Sequence, residues 1–173
     1  HAVSEEFDEA GRQMEKTLSA VKYFGLPAVV VYTNADPGGR KIIEVIEKEK
    51  KNPKFRIFPH IEHKDFLALE REAALWIGNS SAIMIESASF KTPCVNVGTR
   101  QLGRQHGDNV INVGYDRNEI KKAIDKSLND KSYLAKLKNI KNPWGDGKTG
   151  PLVVKILEDL ELGPKLLAKQ ITY

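Results

Sequence analysis

A chain of 173 residues with 40% hydrophobic content is long enough for one well-buried core and short for two, so one domain is expected. Its 27 Lys and Arg against 23 Asp and Glu leave a net charge of +4 spread along the chain, and aromatic residues are not interleaved with the Lys-rich stretches, which disfavours nucleic acid and suits a small anionic ligand. The single Cys94 excludes an internal disulfide, and neither a run of about 18 apolar residues nor a charged-then-apolar leader is present, so a cytoplasmic protein is expected, without a membrane partner.

Phe7, Met14, Leu18 and Val21 recur at helical spacing after Ser4, so residues 4–24 are expected to form a helix, ended by Leu26-Pro27. With an amphipathic helix and no lead-in after His1, the chain is expected to be an excised piece of a longer protein. Ala28 to Tyr32 is a β-branched run of the kind buried on both faces of a parallel sheet, and residues 34–39 turn the chain after it. A helix to about Lys50, a strand at 55–58, a helix at 63–73 and a strand at 74–77 follow. Residues 81–90 suit a helix that stops before Thr92-Pro93; strands are expected at 94–97 and 109–113, and a helix at 116–128. Residues 129–150 are polar and Lys- and Gly-rich, expected as loop or frayed helix, before an apolar helix at 151–160 and a Leu-containing tail. Strand and helix in alternation predict an α/β, doubly wound parallel sheet of the Rossmann-like kind. Ligands of such sheets sit beyond the carboxyl ends of the strands.

Three segments after strands carry candidate chemistry. Gly78-Asn79-Ser80-Ser81 closes a strand and opens a helix, where free amides, two hydroxyls and the helix dipole favour an anion. The same residues serve equally well as an ordinary N-cap. Glu86 lies five residues after Ser81 among small and apolar residues, where an unpaired carboxylate is costly; a ribose diol or a neighbouring cation would satisfy it. Gly98-Thr99-Arg100-Gln101-Leu102-Gly103-Arg104 brings two guanidinium groups to the same rim, suited to phosphate or carboxylate. In the third loop, Asn34, Asp36, Gly38 and Gly39 have turn chemistry as their ordinary reading. The histidines lack metal-site spacing, and no phosphate-loop lysine, nucleophile elbow or dinucleotide fingerprint occurs; neither metal nor cofactor is expected.

Taken together, His1-Ala2-Val3, Asn34 to Gly39, Gly78 to Ser81 with Glu86, and Gly98 to Arg104 resemble the hydrolysing UDP-N-acetylglucosamine 2-epimerase family, in order and spacing across roughly residues 1–160. Gly145-Asp146-Gly147 looks like that family's C-terminal signature. The resemblance implies the C-terminal half of a GT-B type enzyme, in which two Rossmann-like halves close over a UDP-sugar. Residues 1–160 would be the UDP-binding domain, and 161–173 a tail packing on the N-terminal Rossmann-like domain. The implied chemistry is anti elimination of UDP to a glycal, then hydration to N-acetylmannosamine, with acid and base carboxylates coming mainly from the other half. This half alone would bind UDP without turnover, and the full-length enzyme would form a homo-oligomer serving sialic-acid-like sugar synthesis.

Carried over by position, Ser80 and Ser81 would hold the diphosphate, Glu86 the ribose, Arg100 a phosphate and Ile61 the uracil, with Asn34 lining the cleft and His1 acting near the leaving group. Gly78, Asn79, Gly98, Gly103, Arg104, Gly38 and Asp36 would support the loops. Family members commonly carry Pro after the first histidine; Ala2 here lifts that backbone restriction. The diphosphate helix and the arginine loop fit the hydrolysing branch better than the non-hydrolysing one. Two other readings remain: a GT-B glycosyltransferase domain, sharing the fold and the ribose glutamate, and a non-catalytic module, for which only the Lys-rich stretch 121–141 speaks.

Overall fold

A computed structural model describes residues 1–168, so residues 169–173 of the expected tail lie outside the described residues. A 3₁₀ turn at Ser4–Glu6 precedes α1 (Ala10–Lys22), β1 (Ala28–Val31), α2 (Gly39–Lys48), β2 (Phe55–Phe58), α3 (His63–Glu72) and β3 (Trp76–Gly78). Then come α4 (Ser81–Ile85), α5 (Ser87–Phe90), β4 (Cys94–Val97), β5 (Val110–Val113), α6 (Arg117–Asn129) and α7 (Lys131–Leu137). These thirteen pieces belong to a compact unit, His1–Pro143; a second unit begins at Trp144 and contains α8 (Thr149–Glu158) and α9 (Pro164–Leu167).

All strand pairs are parallel, as expected for an α/β chain, but the ladder is interrupted. β1 pairs with β2, Ala28 opposite Phe55, while β3, β4 and β5 form a separate ladder in that order, with Cys94 between Trp76 and Val110. β3 is only three residues long, and its ladder bonds go to β4. The helix α1 spans the interruption. Its Ala10 and Leu18 join Ile42, Val45, Ile46 and Phe55 in one core, its Ala20 joins Val95, Val97, Ile120 and Ile124 in another, and Val21 packs against both. Each fully buried aliphatic side chain of this kind contributes about 1.5–3 kcal/mol. On the opposite face of β3 to β5, Ile83 and Met84 of α4 pack with Cys94, Val110 and Trp76.

The helical coverage of β1 differs from expectation. Ala28, Val30 and Tyr32 point into the core under α1 and α2, but Val29 is 47% exposed and Phe58 of β2 is 41% exposed. The helix α3 does not cover that side; it packs on α5, with Phe66 edge-on to Trp76 at 5.0 Å.

Three further helical boundaries depart from the sequence pattern. The expected helix at 4–24 begins as a 3₁₀ turn, and the regular helix starts at Ala10. The expected helix at 81–90 is broken at Glu86, where the Ser87 hydroxyl bonds back to the Ile83 carbonyl, a contact that competes with regular helix hydrogen bonding. It ends at Lys91 in the left-handed conformation (φ 60°). Residues 131–137, expected as loop or frayed helix, form the ordered α7: Asp130 Oδ1 accepts from the amides of Ser132 and Tyr133, and Tyr133 and Leu137 are buried. The Tyr133 hydroxyl donates to the Asn109 carbonyl at 2.7 Å, tying α7 to the start of β5.

Asp116 caps α6 in the same manner, accepting from the amides of Asn118 and Glu119 at 2.9 and 3.0 Å. Asp116→Ala is expected to cost about 1 kcal/mol, read as a lower denaturant midpoint with unchanged slope. In the second unit, α8 carries Leu152, Val153, Val154, Ile156 and Leu157, all exposed. No helix among the described residues is long and apolar enough to cross a membrane.

Candidate functional site

The segments that leave the carboxyl ends of β3 and β4 meet at Asn79, and the segment after β1 joins them through His1. The Asn79 side chain is 7% exposed, and its amide faces the first residue of the chain: the His1 nitrogen donates to Asn79 Oδ1 at 2.7 Å, while Asn79 Nδ2 donates to the His1 carbonyl at 2.9 Å. The Asn79 carbonyl accepts from Arg100 Nη1 at 3.2 Å and from Gln101 Nε2 at 2.7 Å. One asparagine therefore fastens the chain start to the arginine loop.

The His1 ring is fixed from the β1 side. Its Nδ1 accepts from the Asn34 amide at 3.1 Å and lies 3.1 Å from Thr33 Oγ1, so a neutral ring carries its proton on Nε2. Asn34 Nδ2 donates to Asp36 Oδ2 at 2.7 Å, and Asp36 lies 3.8 Å from Arg100 Nη2. His1, Asn34, Asp36, Asn79 and Arg100 are thereby one connected group. Asp36 and Arg100 also line an open cleft of about 450 Å³ with Ala2, Ser4, Glu6 and Thr99.

Gly78 ends β3 with φ +152°, and Ser80 then caps α4, its Oγ accepting from the Ala82 amide at 3.3 Å. The cap reading of this motif is thus realised at Ser80, while Ser81 is the first helical residue. Glu86 sits at the joint between α4 and α5, half-buried, with Oε2 buried and without a protein donor. Gly98 follows β4 with φ +85°, and a Cβ there would lie 2.3 Å from the ring of Tyr115. Thr99 donates to Glu6 Oε1 at 2.6 Å, which holds the Glu6 carboxyl below its usual range.

The remaining expected residues are placed more loosely. Gly38 precedes α2 in the left-handed region, and Gly103 adopts the same conformation in an exposed turn. Ile61 is half-buried in the segment after β2, and Arg104 is exposed. Among the described residues no hydrogen bond or ion pair joins Ile61 to the Asn79 group, and Arg104 reaches it only through its backbone amide, which donates to the Gln101 carbonyl at 3.2 Å. Two residues without an assigned role in the sequence are central to the geometry: Gln101, inside the arginine motif, and Glu70 on α3, buried beside Glu86. Glu70 follows Phe66 at helical spacing, so a carboxylate standing on an apolar stripe was the available signal. No cluster of three His, Cys, Asp or Glu that could hold a metal ion occurs among the described residues.

The arrangement offers amide, hydroxyl and guanidinium donors around one rim, with a carboxylate a turn away: groups able to bind an anion and a diol. The model of a family described as UDP-N-acetylglucosamine 2-epimerase matches residues 1–158. Among curated proteins, the UDP-N,N'-diacetylbacillosamine 2-epimerase (hydrolyzing) of Legionella pneumophila is 33% identical over 173 residues, which is 100% of this chain and 45% of that protein. The GDP/UDP-N,N'-diacetylbacillosamine 2-epimerase (hydrolyzing) of Campylobacter jejuni is 36% identical over 113 residues, 64% of this chain and 28% of its own length. The chain thus spans less than half of these relatives. Among solved structures, UDP-GlcNAc 2-epimerase of Methanocaldococcus jannaschii in complex with UDP-GlcNAc and UDP superposes with a TM-score of 0.67 at 25% identity, over 90% of this chain and 42% of that one.

Proposed function

Because this chain belongs to the UDP-N-acetylglucosamine 2-epimerase family, we propose that it is the nucleotide-binding half of a hydrolysing UDP-sugar 2-epimerase. The observation that carries this reading is the Asn79 group, which gathers His1, Asn34, Asp36 and Arg100 at the strand ends where Ser80 opens a helix. Ser80 and Ser81 hold the diphosphate of UDP, Arg100 a phosphate, Glu86 the ribose, and Ile61 the uracil through its backbone. The hydrolysing relatives support that branch of the family.

In the full reaction, UDP leaves across C1 and C2 of the sugar as a proton is lost from C2, and water then adds to the glycal to give free N-acetylmannosamine. The leaving group gathers negative charge as the C1–O bond breaks. Preorganised donors aimed at that charge lower the barrier; Arg100 and the α4 start are those donors, with His1 beside them. The carboxylates that take and return the proton at C2 come from a preceding Rossmann-like domain, so this chain alone binds UDP without turning substrate over. The exposed apolar residues of α8, with Leu160 and Leu162 after it, provide the surface on which that domain packs. The complete enzyme is a cytoplasmic homo-oligomer. UDP-N-acetylglucosamine is the substrate proposed, and the Legionella and Campylobacter relatives favour a diacetamido sugar as the second reading.

Calorimetric titration of the 173-residue protein with UDP should show one-site binding of modest affinity, because half the cleft is absent and part of the preorganisation with it. Absence of binding both here and in the full-length protein would sink the reading. Incubating full-length protein with UDP-N-acetylglucosamine or its diacetamido counterpart and no acceptor should release UDP and the free 2-epimeric sugar. An obligatory acceptor would instead mark a glycosyltransferase.

A further inference from the structure

Glu70 is fully buried, and both of its carboxyl oxygens, together with Oε2 of Glu86, lie buried without a hydrogen-bond donor. A buried charge left uncompensated costs several kcal/mol, so such a group stays protonated or finds a partner. The two side chains are within hydrogen-bond reach of each other. One proton between them satisfies the geometry, since a protonated carboxyl donates and a carboxylate accepts. The groups facing Glu70 are Glu86 from the α4–α5 joint and the Cys94 thiol from β4, itself pushed up by burial and by Glu70. Neither is a cation. The Glu70 carbonyl accepts from Trp76 Nε1 at 3.2 Å and Thr92 Oγ1 at 3.1 Å, which fixes its backbone from β3 and from the turn before β4. Burial first, and the Glu86 charge second, raise Glu70 to about 8. Glu86 is only half-buried, so the deeper carboxyl keeps the proton.

We propose that Glu70 and Glu86 share one proton, Glu70 donating to Glu86 Oε2, and that Glu70 is thereby a positioning residue that leaves Glu86 Oε1 to accept from the hydroxyls of a bound ribose. The ribose half of this statement rests on the UDP reading above. The shared proton does not.

The sign of the pH effect follows from linkage. Unfolded Glu70 ionises near its ordinary 4.5, whereas the folded group holds its proton to about 8. The unfolded state therefore binds fewer protons between those values, and stability from this pair is fullest below 4.5 and declines as pH rises through that window.

Glutamate carboxyl carbons followed by NMR from pH 4 to 9 in the 173-residue protein, with E70Q for assignment, test the pair directly. One carboxyl titrating near 8 in the parent, absent from E70Q, with a shifted Glu86 resonance, is expected. If every glutamate titrates below about 5.5 the shared proton is wrong. UDP titrations of the parent, E70Q and E70L at pH 7 and 8.8 test the positioning. Parent affinity should fall at least threefold over that step and E70Q should lose the fall, because an amide donates but does not ionise; E70Q also serves as reference for ionisation of the ligand. E70L, which fills the space without a donor, should bind UDP at least tenfold more weakly than E70Q at pH 7. Equal affinities in the parent and both variants, or one pH profile common to all three proteins, would overturn the positioning role. Failure of the parent to bind UDP at any pH would remove the ribose half along with the reading it rests on, while the carboxyl titration still decides the shared proton.

Discussion

Replacing Gly98 with alanine should lower stability by about 3 kcal/mol, through overpacking and a left-handed backbone, and the thermal midpoint by about 8 °C at this chain length. The added Cβ would lie 2.3 Å from Cζ and Oη of Tyr115, and the backbone there has φ +85°. The Tyr115 ring packs against the core beneath α6, and its hydroxyl is buried beside Glu6 and Thr99, so swinging it aside forfeits packing. The two contributions separate in a double-mutant cycle. On a Tyr115→Ala background the steric part disappears, and the cost of G98A should fall to the 1–2 kcal/mol of the left-handed conformation. An undiminished cost in that background would show that the ring is not what Gly98 avoids.

Arg100→Ala should weaken UDP binding about 30-fold, the loss of roughly 2 kcal/mol from a charge-assisted hydrogen bond, while leaving the thermal midpoint nearly where it is. Its ion pair with Asp36 is 3.8 Å long with both side chains about one-third exposed, so it contributes little to folding. Asn79 retains the Gln101 donor when Arg100 is removed, so the carbonyl is not orphaned. Arg100→Lys restores a charge but not the planar fork, and should recover only part of the affinity. Binding of UDP by R100A within twofold of the parent would take this arginine out of the site.

Much of the framework was legible because single segments carry their own signals. The strands at 55–58 and 94–97 fall where their β-branched and aromatic runs put them, and α6 starts one residue after its Asp116 cap. What the sequence concealed depends on partners distant in the chain. Asn79 reads as a loop residue until His1, 78 positions away, meets its side chain. Gln101 reads as filler between arginine and leucine until its amide reaches the Asn79 carbonyl. The half-covered β1 could not be foreseen from its apolar run, because the face that lacks a helix is decided by where α3 packs. The ordered α7 was more accessible: Asp130 as cap, with Tyr133 and Leu137 four apart, is a helical start that the surrounding lysines obscured.

The interrupted ladder gives the His1–Asn79 contact a mechanical meaning. β1 and β2 form one hydrogen-bonded block and β3 to β5 another, and α1 spans them through side-chain packing. Asn34 and Asp36 extend from the first block, Asn79 and Arg100 from the second, and the paired bonds of His1 lie across the seam. Blocks joined in this way can open by separate local events. A ligand clasped from both sides would act as a rivet across that seam, so occupancy of the cleft and cohesion of the two blocks become a single coupled equilibrium.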